Sequence, residues 1–443
     1  MERISVIGAG YVGLVSAVCF ADRGYRVSLS THDPKKVKQV NNGIAPFYEE
    51  GLEPLLKKAV AAGNLRASLG RYEAVLESDM SFVAVATPSS PDGRIDLDLI
   101  EASSREIGEA LRKKTGYHLV VVRSTVVPGT TENTVKLAVE KHSKKKAGEG
   151  FGIAMQPEFL RQGSAVFDTM NPDRVVIGEY DARSGDMLDV LYRDFYRNKD
   201  IPILRMNLAS AEMIKYASNA FLATKISFIN ELANLCERVN GLDINKIAEG
   251  MGLDKRIGRH FLRAGVGYGG SCFPKDVSAL IAYGKQLGYE PKILNAITSV
   301  NRTQALHAVE LAKRHVGNLT GKKVALLGLS FKPGTDDLRE APSLRIINSL
   351  VSEGARVVAY DPVAMENARQ VLGDKIQCAT STEDCLEHAD CCIIVTEWDE
   401  FKKLKPEDFV QRMNSAVLID GRRVYDPRSF GQRLTYVGIG LAT

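Results

Sequence analysis

The chain has little that would tie it to a membrane, a metal or a disulfide framework. No apolar run approaches the roughly 18 residues that a membrane span needs, and the N-terminus leads directly into an apolar strand rather than through a signal peptide, so a cytoplasmic protein is expected. The seven cysteines, at 19, 236, 272, 378, 385, 391 and 392, form no Cys-x-x-Cys pair and no regular disulfide spacing, which points to reduced thiols. The seven histidines are scattered, with no His-x-x-x-His or Cys/His grouping, and no metal site is expected. Charge of one sign is also missing: 58 Lys and Arg against 54 Asp and Glu leave a net +4 over 443 residues. That balance gives no nucleic-acid footprint, and the Lys141–Lys146 cluster reads as a solvated loop at the end of a helical segment. With 44% hydrophobic and 25% charged residues the composition is that of a globular protein, long enough for about three domains.

What the chain does have is glycine concentrated around one cysteine. Residues 265–276 read Gly-Val-Gly-Tyr-Gly-Gly-Ser-Cys-Phe-Pro-Lys-Asp. Gly265, Gly267, Gly269 and Gly270 remove side chains where backbone must turn or approach a ligand. Pro274 fits the first helical position and Asp276 the first turn. The helix continues through Val277, Leu280, Ile281 and Leu287 to a cap at Gly288. Cys272 therefore falls just before a helix N-terminus with Lys275 nearby, and both influences stabilise a thiolate. A lone cysteine is more often a small buried hydrophobe. Four glycines and a Lys-Asp pair are not what such a residue needs, so Cys272 is read as reactive.

The N-terminus predicts a dinucleotide site. Arg3–Ile7 is a short strand, Gly8-Ala9-Gly10-Tyr11-Val12-Gly13 follows at once, a small-residue helix runs through Ala21, and Gly24 precedes a second strand, Tyr25–Ser30. A GxGxxG in that strand–helix–strand setting lets backbone amides of Tyr11, Val12 and Gly13 meet a pyrophosphate. The acid that would bond the adenosine ribose is replaced by Thr31, with His32 and Asp33 after it, and Arg26, Lys35 and Lys36 lie close in sequence. NAD is the expected cofactor, with NADP tolerated.

Three further strands end in polar groups: Met80–Ala86 before Thr87, Leu119–Arg123 before Ser124 and Thr125, and Gly152–Met155 before Gln156-Pro157-Glu158. Ligands of open parallel sheets bind beyond the carboxyl ends of the strands, so these residues are site candidates. From Leu208 to about Val239 a long helix is apolar on more than one face, which calls for burial by neighbours or a second subunit. Lys215 and Asn219 share one of its faces. A second helical segment, Ile244–Met251, precedes Arg256. After Asn301 a second βαβ unit begins without the glycine fingerprint: strand Val324–Leu329, helix Ser343–Val351, strand Arg356–Tyr360, with Phe331, Lys332 and Arg339 in the loop after its first strand. Lys332 and Arg339 suit a phosphorylated ligand. Strands Cys392–Thr396 and Val417–Asp420 close the chain, the latter leading to Gly421-Arg422-Arg423.

Taken together, Gly8-x-Gly10-x-x-Gly13, Ser124-Thr125-Val126-Val127-Pro128-Gly129-Thr130-Thr131, Pro157-Glu158-Phe159-Leu160, Gly267–Asp276, Phe331-Lys332 and Asp420-Gly421-Arg422-Arg423 resemble the UDP-glucose 6-dehydrogenase family over nearly the whole chain. The resemblance implies an α/β fold: two Rossmann-like parallel-sheet domains joined by a long central helix and a helical dimerisation domain. The division is residues 1–200 for NAD, 201–300 for dimerisation and the cysteine loop, and 301–443 for the UDP-sugar. It implies oxidation of the C6 alcohol of UDP-glucose to a carboxylate with two NAD reductions, by a homodimer or higher homo-oligomer. Cys272 would be the nucleophile, Lys215 and Asn219 would stabilise oxygen at C6, and Asp276, Glu158 and Thr125 would handle protons and water. Phe159, Leu160 and Arg161 would join Glu158 at the sugar, with Gly267, Tyr268 and Gly269 from the cysteine loop. Arg256, Phe261, Phe331, Lys332 and Arg422 would complete the nucleotide-sugar contacts, Arg422 from a partner subunit or domain. Thr31, Lys36, Thr87, Ser124, Lys275 and Arg339 would lie near the cofactor. Gln156 stands where many relatives have Asn. Nothing in the sequence reads the sugar C2 substituent, so GDP-mannose and a UDP-N-acetylhexosamine remain alternative substrates, and a non-catalytic nucleotide-sugar sensor remains an alternative class.

Overall fold

The computed structural model describes residues 3–197 and 199–442, and the chain divides into two compact units, Met1–Ser218 and Asn219–Thr443. In the first, strands β1 (Arg3–Ile7), β2 (Arg26–Ser30), β3 (Leu65–Ser68), β4 (Met80–Val83), β5 (Leu119–Val122), β6 (Gly152–Met155), β7 (Val175–Glu179) and β8 (Ile203–Asn207) form one sheet in the order β3-β2-β1-β4-β5-β6-β7-β8. Neighbours run parallel except β6 and β7. An unbroken apolar run such as Leu119-Val120-Val121-Val122 suits a strand covered on both faces. Leu119 and Val121 accordingly enter one buried cluster, Val120 and Val122 another.

Register decides where the site lies. Ile7 pairs with both Ser30 and Val83, Val83 with Val122, and Val122 with Met155, so these strands finish at one edge of the sheet. The residues that follow them, Gly8, Thr31, Ala84, Arg123 and Gln156, open the loops that carry the predicted polar groups.

In the second unit β9 (Lys323–Leu327), β10 (Arg356–Tyr360), β11 (Gln377–Cys378), β12 (Cys391–Ile394), β13 (Val417–Asp420) and β14 (Thr435–Gly438) form an all-parallel sheet in the order β11-β10-β9-β12-β13-β14. This repeats the first six positions of the larger sheet. The repeat extends to one glycine that the missing fingerprint had hidden. Gly8, at φ 110°, donates its amide to Ser30 across the sheet at 2.9 Å, and Gly328, at φ 96°, donates to Tyr360 at 2.8 Å. A Cβ on Gly8 would strike the backbone of Ala84, and one on Gly328 would strike Thr396.

Helices Leu208–Cys236, Ile244–Leu253, Phe273–Gln286 and Lys292–Val316 precede that second sheet. Ile229, Ala233, Ala305, Ala308 and Ala312 share one core with Val324 and Leu326. The strands Arg3–Ile7, Gly152–Met155, Arg356–Tyr360 and Val417–Asp420 have the bounds expected of them, whereas β4 stops at Val83 rather than Ala86, β9 at Leu327 rather than Leu329 and β12 at Ile394 rather than Thr396. The long helix stops at Cys236 rather than near Val239: the amides of Arg238 and Val239 reach back only three residues, to Leu235 and Cys236, and the last turn tightens. Among the described residues no helix is long and apolar enough to cross a membrane, and no cluster of His, Cys, Asp and Glu could hold a metal ion.

Candidate active site

In the first unit the helix Tyr11–Asp22 starts directly above the glycine loop, with Gly10 as its N-cap, no side-chain cap and no acid in its first turn. Its exposed amides and positive end are left to an anion. A Cβ on Gly13 would overlap the carbonyl oxygen of Gly8, whereas one on Gly10 would meet nothing within 4 Å. The turn is therefore closed on the protein side and open on the other, and the residues present fit a dinucleotide pyrophosphate. Thr31 follows β2 immediately, and its hydroxyl accepts the Asp33 amide at 3.3 Å. Asp33 itself caps the helix Pro34–Asn41, accepting from the amides of Lys35 at 2.9 Å and Lys36 at 3.3 Å, so it is committed to the cap. The Thr87 hydroxyl donates to the Thr125 carbonyl at 2.9 Å and that of Ser124 to Val85 at 2.7 Å, locking the two strand-end loops together.

Glu158 and Lys215 form a buried ion pair at 3.1 Å, their side chains 6% and 4% exposed. Burial pushes the Glu158 carboxyl up, but the Lys215 ammonium, the Leu160 amide at 2.6 Å and Arg123 outweigh it and hold the group below the usual carboxylate range. Phe159 lies under the guanidinium of Arg174, 4.1 Å from its ring centre, and 5.6 Å from the Lys215 nitrogen. Arg161 is exposed and paired with Asp168 at 2.6 Å.

In the second unit Cys272 is exposed and stands as N-cap of the helix Phe273–Gln286, with Pro274 at its second position rather than its first. The helix ends in a Schellman turn: Tyr289 donates to Gly284 at 2.9 Å and Gly288, at φ 74°, to Lys285 at 3.0 Å. Asp276, in the first turn, is buried and doubly held, by Asn219 Nδ2 at 2.6 Å and Lys275 Nζ at 2.6 Å. Asn219 follows Lys215 by one turn of the long helix. Phe331 packs on Gly270, and the Gly270 amide donates to the Arg339 carbonyl at 2.9 Å. The Asp337 carboxylate, at 2.6 Å, raises the Arg339 pKa, and the charge of a Cys272 thiolate adds to the effect. Arg422 is pinned rather than extended: its Nε donates to the Val395 carbonyl at 2.7 Å and a terminal nitrogen to the Gly267 carbonyl at 3.1 Å. It braces the cysteine loop of its own chain. Phe261 has φ 65° and its ring lies 6.2 Å from that of Phe273. Arg256 is exposed and paired with Asp254 at 2.6 Å, and Lys332 lies over the Phe331 ring at 5.6 Å.

Several residues that sequence reasoning passed over hold these pieces in place. Glu49 is buried and takes the Tyr11 phenol together with the amides of Gly163 and Ala165, each at 2.7 Å. Asn230 accepts the Gly265 amide at 2.8 Å, Gln304 donates to the Gly265 carbonyl at 2.9 Å, and Asn301 both accepts from the Tyr268 amide at 2.8 Å and donates to its carbonyl at 3.0 Å. Gly267 is required at that point, since its φ is 92° and a Cβ would sit 2.7 Å from the Asn301 oxygen. Asp361 gathers the amides of Leu329 at 2.8 Å and Ser330 at 3.0 Å and the Trp398 indole at 3.0 Å. Of these only Asp361, at the end of its strand, carried a positional signal.

A phosphate seat of this kind at the edge of a doubly wound sheet belongs to the dinucleotide-binding oxidoreductases. Residues 2–196 match the NAD binding domain of the UDP-glucose/GDP-mannose dehydrogenase family, 209–303 its central domain and 325–427 its UDP binding domain. The chain belongs to that family, whose members are NAD-dependent nucleotide-sugar dehydrogenases. It is 44% identical over 96% of its length to UDP-glucose 6-dehydrogenase TuaD of Bacillus subtilis, 90% of which is covered. It is likewise 44% identical to UDP-glucose 6-dehydrogenase AglM of Haloferax volcanii, covering 96% of this chain and 98% of that one. A UDP-glucose dehydrogenase structure from the hyperthermophilic archaeon Pyrobaculum islandicum superimposes with a TM-score of 0.93 at 43% identity, over 100% of this chain and 98% of the other.

Proposed function

We propose that this chain oxidises the C6 alcohol of UDP-glucose to the carboxylate of UDP-glucuronate, with Cys272 as the covalent nucleophile. The observation that carries the reading is the exposed Cys272 at a helix N-terminus, one turn from a buried Asp276 held by Asn219 and Lys275. Bound NAD supplies the hydride acceptor at each of the two oxidations. Loss of hydride from C6 and a proton from its hydroxyl gives an aldehyde, from which no second hydride can leave until a nucleophile rebuilds a tetrahedral carbon. The Cys272 thiolate adds to that carbon and forms a thiohemiacetal. Loss of the second hydride, with the hydroxyl proton, gives a thioester. Water then attacks the carbonyl, the C–S bond breaks, and carboxylate and thiol are released. Lys215 and Asn219 stabilise negative charge on the C6 oxygen, worth a few kcal/mol per donor. Glu158 and Thr125 orient the attacking water, and Asp276 assists its deprotonation.

Phe261, Phe331, Lys332 and Arg422 are assigned to the nucleotide sugar, with Arg256 recruited from its surface ion pair. Lys275 and Arg339 are assigned to the cofactor side. The homodimer is assigned to residues 201–300 of the chain. Phe221, Phe228 and Leu235 recur every seven residues on the long helix and are 65%, 47% and 56% exposed, an apolar stripe suited to a second copy.

The deciding experiment is NADH yield per nucleotide sugar across UDP-glucose, GDP-mannose and UDP-N-acetylhexosamines. Two NADH per UDP-glucose, with slower turnover of the others, is expected. One NADH per sugar would remove the covalent route, preference for another sugar would move the substrate, and no NADH from any of them would point to a sensor.

A further inference from the structure

Near the Glu158–Lys215 pair lies a second cation that the proposed chemistry does not use. Arg123 is the first residue beyond β5, between Val122 and Ser124, and is 6% exposed. A terminal nitrogen donates to the Tyr192 phenol at 3.3 Å, and its Nε has no hydrogen-bond partner among the described residues. The Tyr192 hydroxyl in turn donates to Gln156 Oε1 at 2.8 Å, and Gln156 Nε2 donates to the Pro157 carbonyl at 3.0 Å. A continuous chain of donors thus runs from Arg123 to the peptide that begins Glu158. Burying a guanidinium so sparsely partnered is costly, and such an arrangement persists where its field is used.

We propose that Arg123 is a positioning residue for Glu158: through Tyr192 and Gln156 it fixes the Pro157–Glu158 peptide, and it presents its charge to the neighbouring carboxylate. The inference rests on the reading of Glu158 as a group that orients water. The charged groups that face Glu158 are Lys215 from the long helix and Arg123 from the end of β5, with the Leu160 amide as the third favourable contact. Arg123 is faced by Tyr192 and Tyr196 at the end of the helix Ala182–Phe195 and by Cys19 on the helix Tyr11–Asp22, all neutral near pH 7 because burial raises their pKa values. Its charge is therefore not spent on another anion in that layer. The role of Gln156 also becomes specific: an asparagine, one methylene shorter, would have to give up the Tyr192 bond or the Pro157 carbonyl.

Two measurements test this on the full-length chain. The first follows the Glu158 carboxyl by 13C NMR through a pH titration, the resonance assigned by its absence in Glu158→Gln. The second is the acid limb of kcat/KM for NADH formation from UDP-glucose. Arg123→Met should raise both midpoints, and Arg123→Lys should restore most of the shift. Tyr192→Phe and Gln156→Asn should leave the midpoint in place and lower kcat roughly tenfold at unchanged KM, as expected of a misplaced water-orienting group. An unshifted Glu158 midpoint in Arg123→Met would overturn the proposal, however much activity is lost. Should Arg123→Met fail to fold, wild-type kcat in both Tyr192→Phe and Gln156→Asn would overturn it instead. If the wild-type protein forms no NADH from UDP-glucose, the functional reading fails, while the NMR comparison still decides the place of Arg123.

Discussion

The amide of Asp276 donates to the carbonyl of Cys272 at 2.8 Å, while the Asp276 carboxylate is taken by Asn219 and Lys275. Thiol and acid are thus set one helical turn apart by the backbone itself, and the acid cannot swing away. Replacing Cys272 with Ala should abolish net oxidation, seen as loss of NADH formation, while calorimetry still detects UDP-glucose binding and the melting temperature is unchanged. Full turnover by that variant would remove the covalent mechanism.

The Glu158–Lys215 pair makes a pH-dependent contribution to stability. The folded-state pKa of Glu158 is lowered, so its stabilisation is present above the unfolded value and is lost as pH falls through the folded one. Removing Lys215 leaves the buried carboxylate with only the Leu160 amide and the charge of Arg123 to favour it, at a cost of about 3–5 kcal/mol near neutral pH. Lys215→Met should therefore be strongly destabilised at pH 7 in urea unfolding, and the gap to wild type should narrow toward pH 4. A gap independent of pH would mean that the pair is not ionised in the fold.

Much of this architecture was legible in the sequence, and the parts that were not have a common physical reason. The glycine fingerprint, the cysteine loop and the strand-end Ser, Thr and Glu announce themselves because each needs an unusual residue at a fixed offset from a strand or helix. Asn230, Asn301 and Gln304 do not. Their partners are backbone groups of Gly265 and Tyr268 more than thirty positions away, and a carboxamide on a helix has no local mark that separates burial from a solvated face. Glu49 and Arg123 were hidden for the same reason, as was Gly328, whose positive φ serves a crossing with Thr396 rather than a ligand. Arg422 was legible as important but not in what it touches.

Its contacts lead to a prediction for Arg422→Ala. Losing the donors to Val395 and Gly267 frees the cysteine loop and leaves two carbonyls unpaired, so KM for the nucleotide sugar should rise and kcat should fall with it. A combined loss in kcat/KM of roughly 1.5–3 kcal/mol is expected for charge-assisted bonds. A rise in KM alone, with kcat intact, would mean that the guanidinium meets only the bound sugar and does not position the loop.

Asn301→Ala isolates the loop support without removing a charge. The Tyr268 amide and carbonyl would both lose their partner in a buried setting, at about 1–3 kcal/mol each if water does not enter. The melting temperature should drop, and alkylation of Cys272 by iodoacetamide should change in rate because the loop that presents it is no longer fixed. An unchanged alkylation rate at a lowered melting temperature would confine Asn301 to the fold.

Cofactor choice turns on Thr31. In this fold a carboxylate at the end of the second strand accepts the ribose hydroxyls of NAD and repels the 2′-phosphate of NADP. Thr31 occupies the position directly after β2, its hydroxyl accepting from the Asp33 amide, and carries no charge. Asp33 cannot deputise, because its carboxylate caps the next helix through the Lys35 and Lys36 amides. Repulsion of a 2′-phosphate is accordingly weak, and His32, Lys35 and Lys36 stand close by in the chain. NAD should be preferred and NADP used measurably, and Thr31→Asp should suppress turnover with NADP more than it improves turnover with NAD. Comparing kcat/KM for the two cofactors in both proteins checks this. Outright rejection of NADP by the wild-type chain, or an unaltered ratio in Thr31→Asp, would mean that ribose recognition comes from a residue other than the one that ends the second strand.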